Sequence, residues 1–257
     1  MKQKKPILFA VLAAALYALN SPFSKVLLSG LSPTMLAALL YLGAGLGMLA
    51  VGFLQKRSGT AGKEKPLTKK ELPYTVGMVV LDIMAPISLM SGLMMTTAAN
   101  ASLLNNFEIV ATSLIALFLF REKISKRLWL GIAFVTVASI LLSVEDYSSF
   151  SFSAGSFFVL LACVFWGFEN NCTRKLSSKN PLEIVVIKGF GSGTGSLMIA
   201  AALGEFCTNL PYMLLALLLG FFTYGLSILF YIYAQRYLGA AKTSAYYAVS
   251  PFMGAVL

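Results

Sequence analysis

The 257-residue chain contains no histidine. That absence removes His-ligated zinc, Ser-His-Asp triads and histidine proton relays from the chemistry open to it. Charge is scarce too: 12% of the residues are Asp, Glu, Lys or Arg, where a soluble domain carries about a quarter. The three cysteines, Cys163, Cys172 and Cys207, show no metal-ligand spacing and read as small apolar residues. No Walker-type phosphate loop is present, which excludes an ATP-driven pump for this chain alone. Neither a metal nor a cofactor is expected. What the chain does hold is apolar: 58% of it is hydrophobic, and the mean hydropathy is +0.80. The apolar residues come in runs long enough to cross a bilayer. A disordered chain, a disulfide-stapled secreted domain and almost any soluble enzyme are thereby excluded. The fold class is an all-α polytopic membrane protein.

Nine apolar segments are predicted as spans, at about 7–28, 33–54, 72–94, 97–120, 128–144, 153–173, 181–204, 210–235 and 239–257. Lys and Arg set their orientation, because cytoplasmic connections carry the excess of both. Lys2, Lys4 and Lys5 precede the first span, and every second connection after it is basic. Those connections hold Lys56 to Lys70, Arg121 to Arg127, Arg174 to Lys179, and Arg236 with Lys242. The intervening ones hold Glu145, Asp146 and Glu205, with Lys25 the single outer base. A multi-pass protein of the cytoplasmic membrane with a cytoplasmic N-terminus is expected. The formal charge of +10 then suits anionic lipid headgroups at the inner face rather than nucleic acid. A secretory signal is the other reading of a Lys-led apolar start. The run outlasts a signal core, however, and it has an internal counterpart.

Three stretches recur in the same order. Asn20-Ser21-Pro22-Phe23-Ser24-Lys25 matches Asn170-Asn171-Cys172-Thr173-Arg174-Lys175 at an offset of 150 residues. Gly43-Ala44-Gly45-Leu46-Gly47 matches Gly191-Ser192-Gly193-Thr194-Gly195 at 148, and Ala98-Ala99-Asn100-Ala101-Ser102 matches Ala240-Ala241-Lys242-Thr243-Ser244 at 142. A unit of five spans is odd, so a second copy enters the membrane from the opposite face. Two inverted repeats are expected, over residues 1–146 and 147–257, with a solute site near the midplane between them. The second copy ends roughly thirty residues short of the first, so a tenth span is expected in the parent protein. The Gly-x-Gly-x-Gly runs lie within apolar segments with no preceding strand, and they read as close helix packing rather than nucleotide loops.

This arrangement resembles the drug/metabolite transporter superfamily, specifically its EamA-type family. The most specific resemblance is the fourth span, where Ala98 to Leu104 leads to Phe107-Glu108-Ile109-Val110. The family's Ala-rich segment closes on a Glu-Pro pair. Here the first copy keeps the Glu without the Pro. The second reads Val249-Ser250-Pro251-Phe252 and keeps the Pro without the Glu. The resemblance implies secondary transport of a small organic solute, often export of an amino acid or other metabolite. It also implies a cavity lined by the first, third and fourth spans with the sixth, eighth and ninth.

A charge at mid-membrane costs about 2.5–3.5 kcal/mol on insertion scales, so ionisable residues within spans are site candidates. Asp82 lies ten residues into the third span, roughly 15 Å deep, and Glu108 is equally central in the fourth. Glu169 and Lys188 lie in the sixth and seventh. These two either join a site or pair with each other, and Lys188 can also snorkel to the surface. A medium of low polarity disfavours the charged form of a carboxylate, so proton coupling is a further expectation. Proline frees the carbonyl four residues before it. Pro22, Pro86 and Pro251 are therefore candidate helix breaks, Pro86 at Asp82 itself. Asn20 and Asn170 occupy equivalent positions and offer donors and acceptors. Tyr17, Trp166, Tyr224, Tyr246 and Tyr247 serve either as cavity wall or as packing, and Ser250 adjoins Pro251. The leading reading is a secondary active transporter. The alternatives are a passive channel or structural membrane protein, or a membrane-embedded enzyme, for which no nucleophile-base pair is evident.

Overall fold

A computed structural model describes residues 4–59, 64–143 and 154–256. All nine predicted segments are helical, and no strand occurs among the described residues. The first span divides into α1 (Lys4–Tyr17) and α2 (Asn20–Leu27); the second is α3 (Pro33–Arg57). A short 3-10 turn at Lys69–Glu71 leads into the third, α4 (Leu72–Met95), and the fourth divides into α5 (Ala98–Leu104) and α6 (Phe107–Phe118). The next three are α7 (Lys126–Ser143), α8 (Ala154–Leu176) and α9 (Pro181–Ala202). The eighth runs from α10 (Leu210–Gly220) through a π-helical stretch, Phe221–Leu226, into α11 (Ser227–Leu238). The ninth is α12 (Ala240–Tyr247) followed by α13 (Ser250–Val256). Among the described residues, six of these spans are long and apolar enough by themselves to cross a membrane. The predicted boundary at 146/147, with Glu145 and Asp146, lies outside the described residues, as do Lys2 and Lys63.

Local chemistry sets where these helices begin. Ser32 caps α3 by accepting from Met35 N at 3.3 Å, with Pro33 as the first helical residue. Asn180 does the same for α9, accepting from Leu182 N at 3.1 Å ahead of Pro181. A polar cap followed by proline satisfies an orphan amide and fixes φ at the helix entry. Lys25, the single outer base, points its ammonium at the end of α4, donating to the Leu93 carbonyl and to Thr96 O at 2.7 Å. A cation there meets unpaired carbonyls and the negative end of the helix dipole.

Two of the three prolines accompany a break. Pro22 lies in the first turn of α2, and α1 ends at Tyr17, before the Ala18 carbonyl that Pro22 cannot engage. Pro251 is the second residue of α13, just after the chain leaves α12 at Tyr247. Pro86 departs from expectation, because α4 runs unbroken through it from Leu72 to Met95. One lost hydrogen bond does not end a 24-residue helix packed on both sides. Such prolines are tolerated in membrane helices through local adjustment and neighbouring hydroxyls, and Ser88 Oγ donates to Met84 O at 2.8 Å one turn away. The fourth span breaks without proline, at Asn105-Asn106, which shares a small pocket with Ala248, where the ninth breaks.

Four pairs of spans run antiparallel. In the first and eighth, Phe9 stacks on Phe230 at 5.7 Å and Ser227 donates to Ala13 O at 2.9 Å. The third and sixth meet where Gly92 faces Gly155 and again where Gly77 faces Cys172. In the second and seventh, Gly45 faces Gly189 while Gly193 faces Leu42. The fourth and ninth touch through Ile109 and Ala248 and through Ser102 and Gly254. Exchange of spans one to four with spans six to nine maps this set of pairings onto itself. The second and seventh spans lie antiparallel to each other, the arrangement that two inverted copies would give.

Within the glycine runs, Gly45 and Gly193 serve the crossing of α3 and α9, while Gly43 and Gly47 face the eighth span and Gly191 and Gly195 the third. A Cβ on Gly45 would lie 3.1 Å from Phe190 N, and one on Gly193 would lie 2.8 Å from Leu42 N. Each helix presents its backbone to the other because neither carries a side chain there. Gly193→Val is accordingly expected to cost about 1–3 kcal/mol through overpacking. A thermal midpoint in detergent equal to that of the wild type would show that the crossing has slack.

Each end of the bundle is tied by its own polar contacts. The basic connections meet one another: Arg236 forms a two-pronged pair with Glu64 at 3.0 and 3.2 Å and donates to Ser177 O and Lys179 O. Nearby, Glu122 accepts from Ala240 N at 3.2 Å. At the opposite end Ser32 donates to Glu205 at 2.7 Å.

Candidate functional site

The polar residues inside the bundle come from helices whose other faces are apolar. On α8, Trp166, Glu169, Asn170 and Thr173 follow the spacing of a single helix face. All four line a central cavity, and so do Asp82 of α4, Glu108 of α6 and Lys188 of α9. About 40 Å³ of it is open to the centres of water-sized molecules, room for roughly three waters. Tyr17, Tyr224 and Tyr247, from the first, eighth and ninth spans, complete the predicted part of the wall.

Lys188 is the hub. Its ammonium lies 2.7 Å from Glu169 Oε1 and 3.1 Å from Asp82 Oδ2, and all three residues are buried. Asp82 Oδ1 also accepts from Tyr41 Oη at 2.7 Å, and Glu169 Oε1 accepts from Thr173 Oγ1. Lys188 thus pairs with Glu169 instead of snorkelling, and takes in Asp82 as a second partner. Sharing one ammonium between two carboxylates offsets part of the cost of taking three charges out of water.

Glu108 is held differently. It sits in the first turn of α6, just after the break at Asn105-Asn106, where the half-helix dipole favours an anion. Its Oε1 accepts from Asn170 Nδ2 at 2.7 Å, and the same amide lies 3.1 Å from Thr112 Oγ1. Asn170 is tied through its backbone as well, since Gln235 Nε2 donates to its carbonyl at 3.1 Å. Glu108 keeps 9% of its surface open, where Asp82 keeps none.

Aromatic rings close the rest of the wall. Tyr17 meets Trp166 at 6.2 Å and Tyr224 at 5.8 Å edge-on, and Tyr247 at 5.5 Å with the rings tilted. Tyr41 packs on Tyr224 at 4.8 Å, and Tyr231 on Tyr247 at 4.9 Å.

Three sequence candidates lie elsewhere. Asn20 is fully buried but is not on the wall; it accepts from Ser24 Oγ at 3.1 Å, and its amide lies 3.5 Å from Tyr224 Oη. The chain turns at Ala18-Leu19 before reaching it, so it backs Tyr224 rather than facing the hollow. Tyr246 is half-buried and does not line the cavity, because one helical residue rotates it about 100° from Tyr247. Ser250 lines a separate pocket of about 10 Å³ with Tyr17, Ser102 and Pro251, and its buried hydroxyl has no hydrogen-bond partner among the described residues.

Tyr41, Thr173, Ile228 and Tyr231 join the wall without having been singled out in the sequence. Thr173 extends the α8 stripe, and Tyr224, Ile228 and Tyr231 follow i, i+4, i+7 spacing, so both had a periodic signal. Tyr41 had none. It and Lys188 bring the second and seventh spans into a wall expected from six others, because the glycine crossing draws α3 and α9 together.

The comparisons agree with this architecture. A curated protein from Methanothermobacter thermautotrophicus, described as an uncharacterized transporter, is 27% identical over 262 residues, covering 96% of this chain and 76% of the relative. A solved chain described simply as "Crystal structure of protein" matches with a TM-score of 0.77 at 14% identity. That match covers 98% of this chain and 86% of the other, and it concerns the fold alone. The family model of the EamA-like transporter family matches residues 4–144 and 153–257. With nearly all of its length so matched, the chain is a multi-pass integral membrane protein that belongs to the EamA-like transporter family of the drug/metabolite transporter superfamily.

Proposed function

We propose that the chain is a secondary active transporter that exports a small organic solute, an amino acid or other metabolite, across the cytoplasmic membrane by alternating access. Its N-terminus lies on the cytoplasmic side, the basic connections face anionic headgroups there, and protons are the candidate coupling ion. The observation that carries this reading is the central cavity. Four ionisable side chains, Asp82, Glu108, Glu169 and Lys188, converge on one hollow from four different spans. Intramembrane charge is retained where it handles solutes or ions, and broken helices beside polar groups are how transporter folds build such sites. Glu108 at the head of α6 fits that description. The hollow is also smaller than the roughly 300 Å³ of an ordinary ligand pocket, so a solute must displace wall side chains on entry, as a gated site requires.

Counterflow in proteoliposomes tests the proposal. Unlabelled solute trapped inside is expected to accelerate entry of labelled solute, with flux saturating as external concentration rises. Candidates come from thermal-shift screening of metabolites, since a specific binder stabilises the folded state by mass action. A linear, unstimulated flux would instead assign a channel.

A further inference from the structure

The central cavity is short of positive charge. Three carboxylates face one ammonium, and that ammonium is already engaged by two of them. A solute carboxylate entering here has no free cation to meet. To reach Lys188 it must displace Asp82 or Glu169 and leave that group unpaired in a medium where an unpaired charge is costly. A positively charged solute meets the opposite situation. Glu108 accepts from the neutral Asn170 amide, keeps 9% of its surface open, and lines the same cavity as several aromatic rings. Trp166, Tyr17 and Tyr247 line that cavity with it, Tyr17 touching both other rings. The faces of such rings attract cations, Trp most strongly, and the attraction grows as water is excluded.

We propose that the transported solute is a small organic cation with an alkylammonium head, held by the Glu108 carboxylate and the aromatic wall of Tyr17, Trp166 and Tyr247. This rests on the transporter reading and narrows its solute class: an ammonium without a compensating carboxylate. The Asp82–Lys188–Glu169 cluster then acts in selectivity, since its two carboxylates repel anions and its single cation is unavailable to them. Discrimination by an unpaired charge left in the site is the repulsive half of specificity.

Four probes test the assignment on the purified chain. Choline and propylamine are cations; 3,3-dimethylbutanol has the shape of choline without the charge; 3,3-dimethylbutanoate is its anionic relative. The two cations are expected to raise the thermal midpoint saturably, with the neutral and anionic probes at least about tenfold weaker. Glu108→Gln is expected to weaken cation binding by a similar factor while leaving the ligand-free midpoint close to that of the wild type. Should that variant misfold, the four-probe series on the wild type decides alone. Cations that bind no better than dimethylbutanol, or a butanoate that binds as well, overturn the assignment. If they do so while counterflow finds a neutral or anionic solute, transport stands and the cation class falls. If no solute of any charge exchanges, transport falls, and the binding series still decides whether the hollow takes cations.

Discussion

Lys188→Met is expected to destabilise the protein by about 3–5 kcal/mol, the cost of leaving buried charge uncompensated. The lysine is 3% exposed and lies between Glu169 at 2.7 Å and Asp82 at 3.1 Å. Its loss leaves three carboxylates in one small hollow with no cation, and its two former partners, Asp82 and Glu169, then have to be protonated or drawn towards water. A triple variant, Asp82→Asn with Glu169→Gln and Lys188→Met, removes all three charges and keeps similar volumes. Replacing a whole buried ionic cluster is often nearly neutral for stability, whereas breaking it is not. The triple variant is therefore expected to recover most of the thermal midpoint lost in the single one. Midpoints in detergent, followed by circular dichroism, read the difference. A single variant as stable as the wild type would show that the three groups do not form one electrostatic unit. Recovery of stability without recovery of flux would place the cluster in transport as well as in folding.

The membrane scaffold was largely legible in the sequence because hydropathy is a local, additive property. Each of nine apolar segments became a helix, and the glycine runs, read as sites of close helix packing, do lie against neighbouring helices. Helix breaks were half legible. Pro22 and Pro251 marked theirs, but Asn105-Asn106 breaks the fourth span without proline, and α4 absorbs Pro86. The fate of a proline depends on what packs around its freed carbonyl, which no local pattern encodes.

The site was legible as a list of costly residues but not as an arrangement. Burial cost singled out Asp82, Glu108, Glu169 and Lys188, and all four line the cavity. That Lys188 bridges two of them depends on how α9 is rotated against α4 and α8, and the contact with Gly45 sets that rotation. Tyr41 shows the limit most plainly. An isolated tyrosine on an apolar helix reads as core, and only the tertiary fold reveals its hydroxyl on Asp82 at 2.7 Å. Asn20 errs in the other direction, since equivalence of sequence position with Asn170 did not survive the turn at Ala18-Leu19.

Glu108→Gln is the second large effect, and it falls on transport. Asp82 and Glu169 are committed to Lys188, whereas Glu108 is held by the Asn170 amide at 2.7 Å, which can bond either a carboxylate or a neutral carboxyl oxygen. It is thus the carboxyl best placed to exchange a proton for a solute. Glutamine keeps the size and the acceptor oxygen but cannot change charge. In liposomes with an imposed pH gradient, flux is expected to fall at least about tenfold, since a charge-assisted contact and the exchangeable proton are lost together. Glu108→Asp separates the two roles. It keeps the titrating group but withdraws it by one methylene, so pH dependence is expected to persist while KM rises. Flux through Glu108→Gln with an unchanged response to pH would remove Glu108 from coupling and direct attention to the Asp82–Lys188–Glu169 cluster. Loss of pH dependence in Glu108→Asp as well as in Glu108→Gln would mean that the position needs the reach of glutamate, and that the contact with Asn170 is part of the exchange itself.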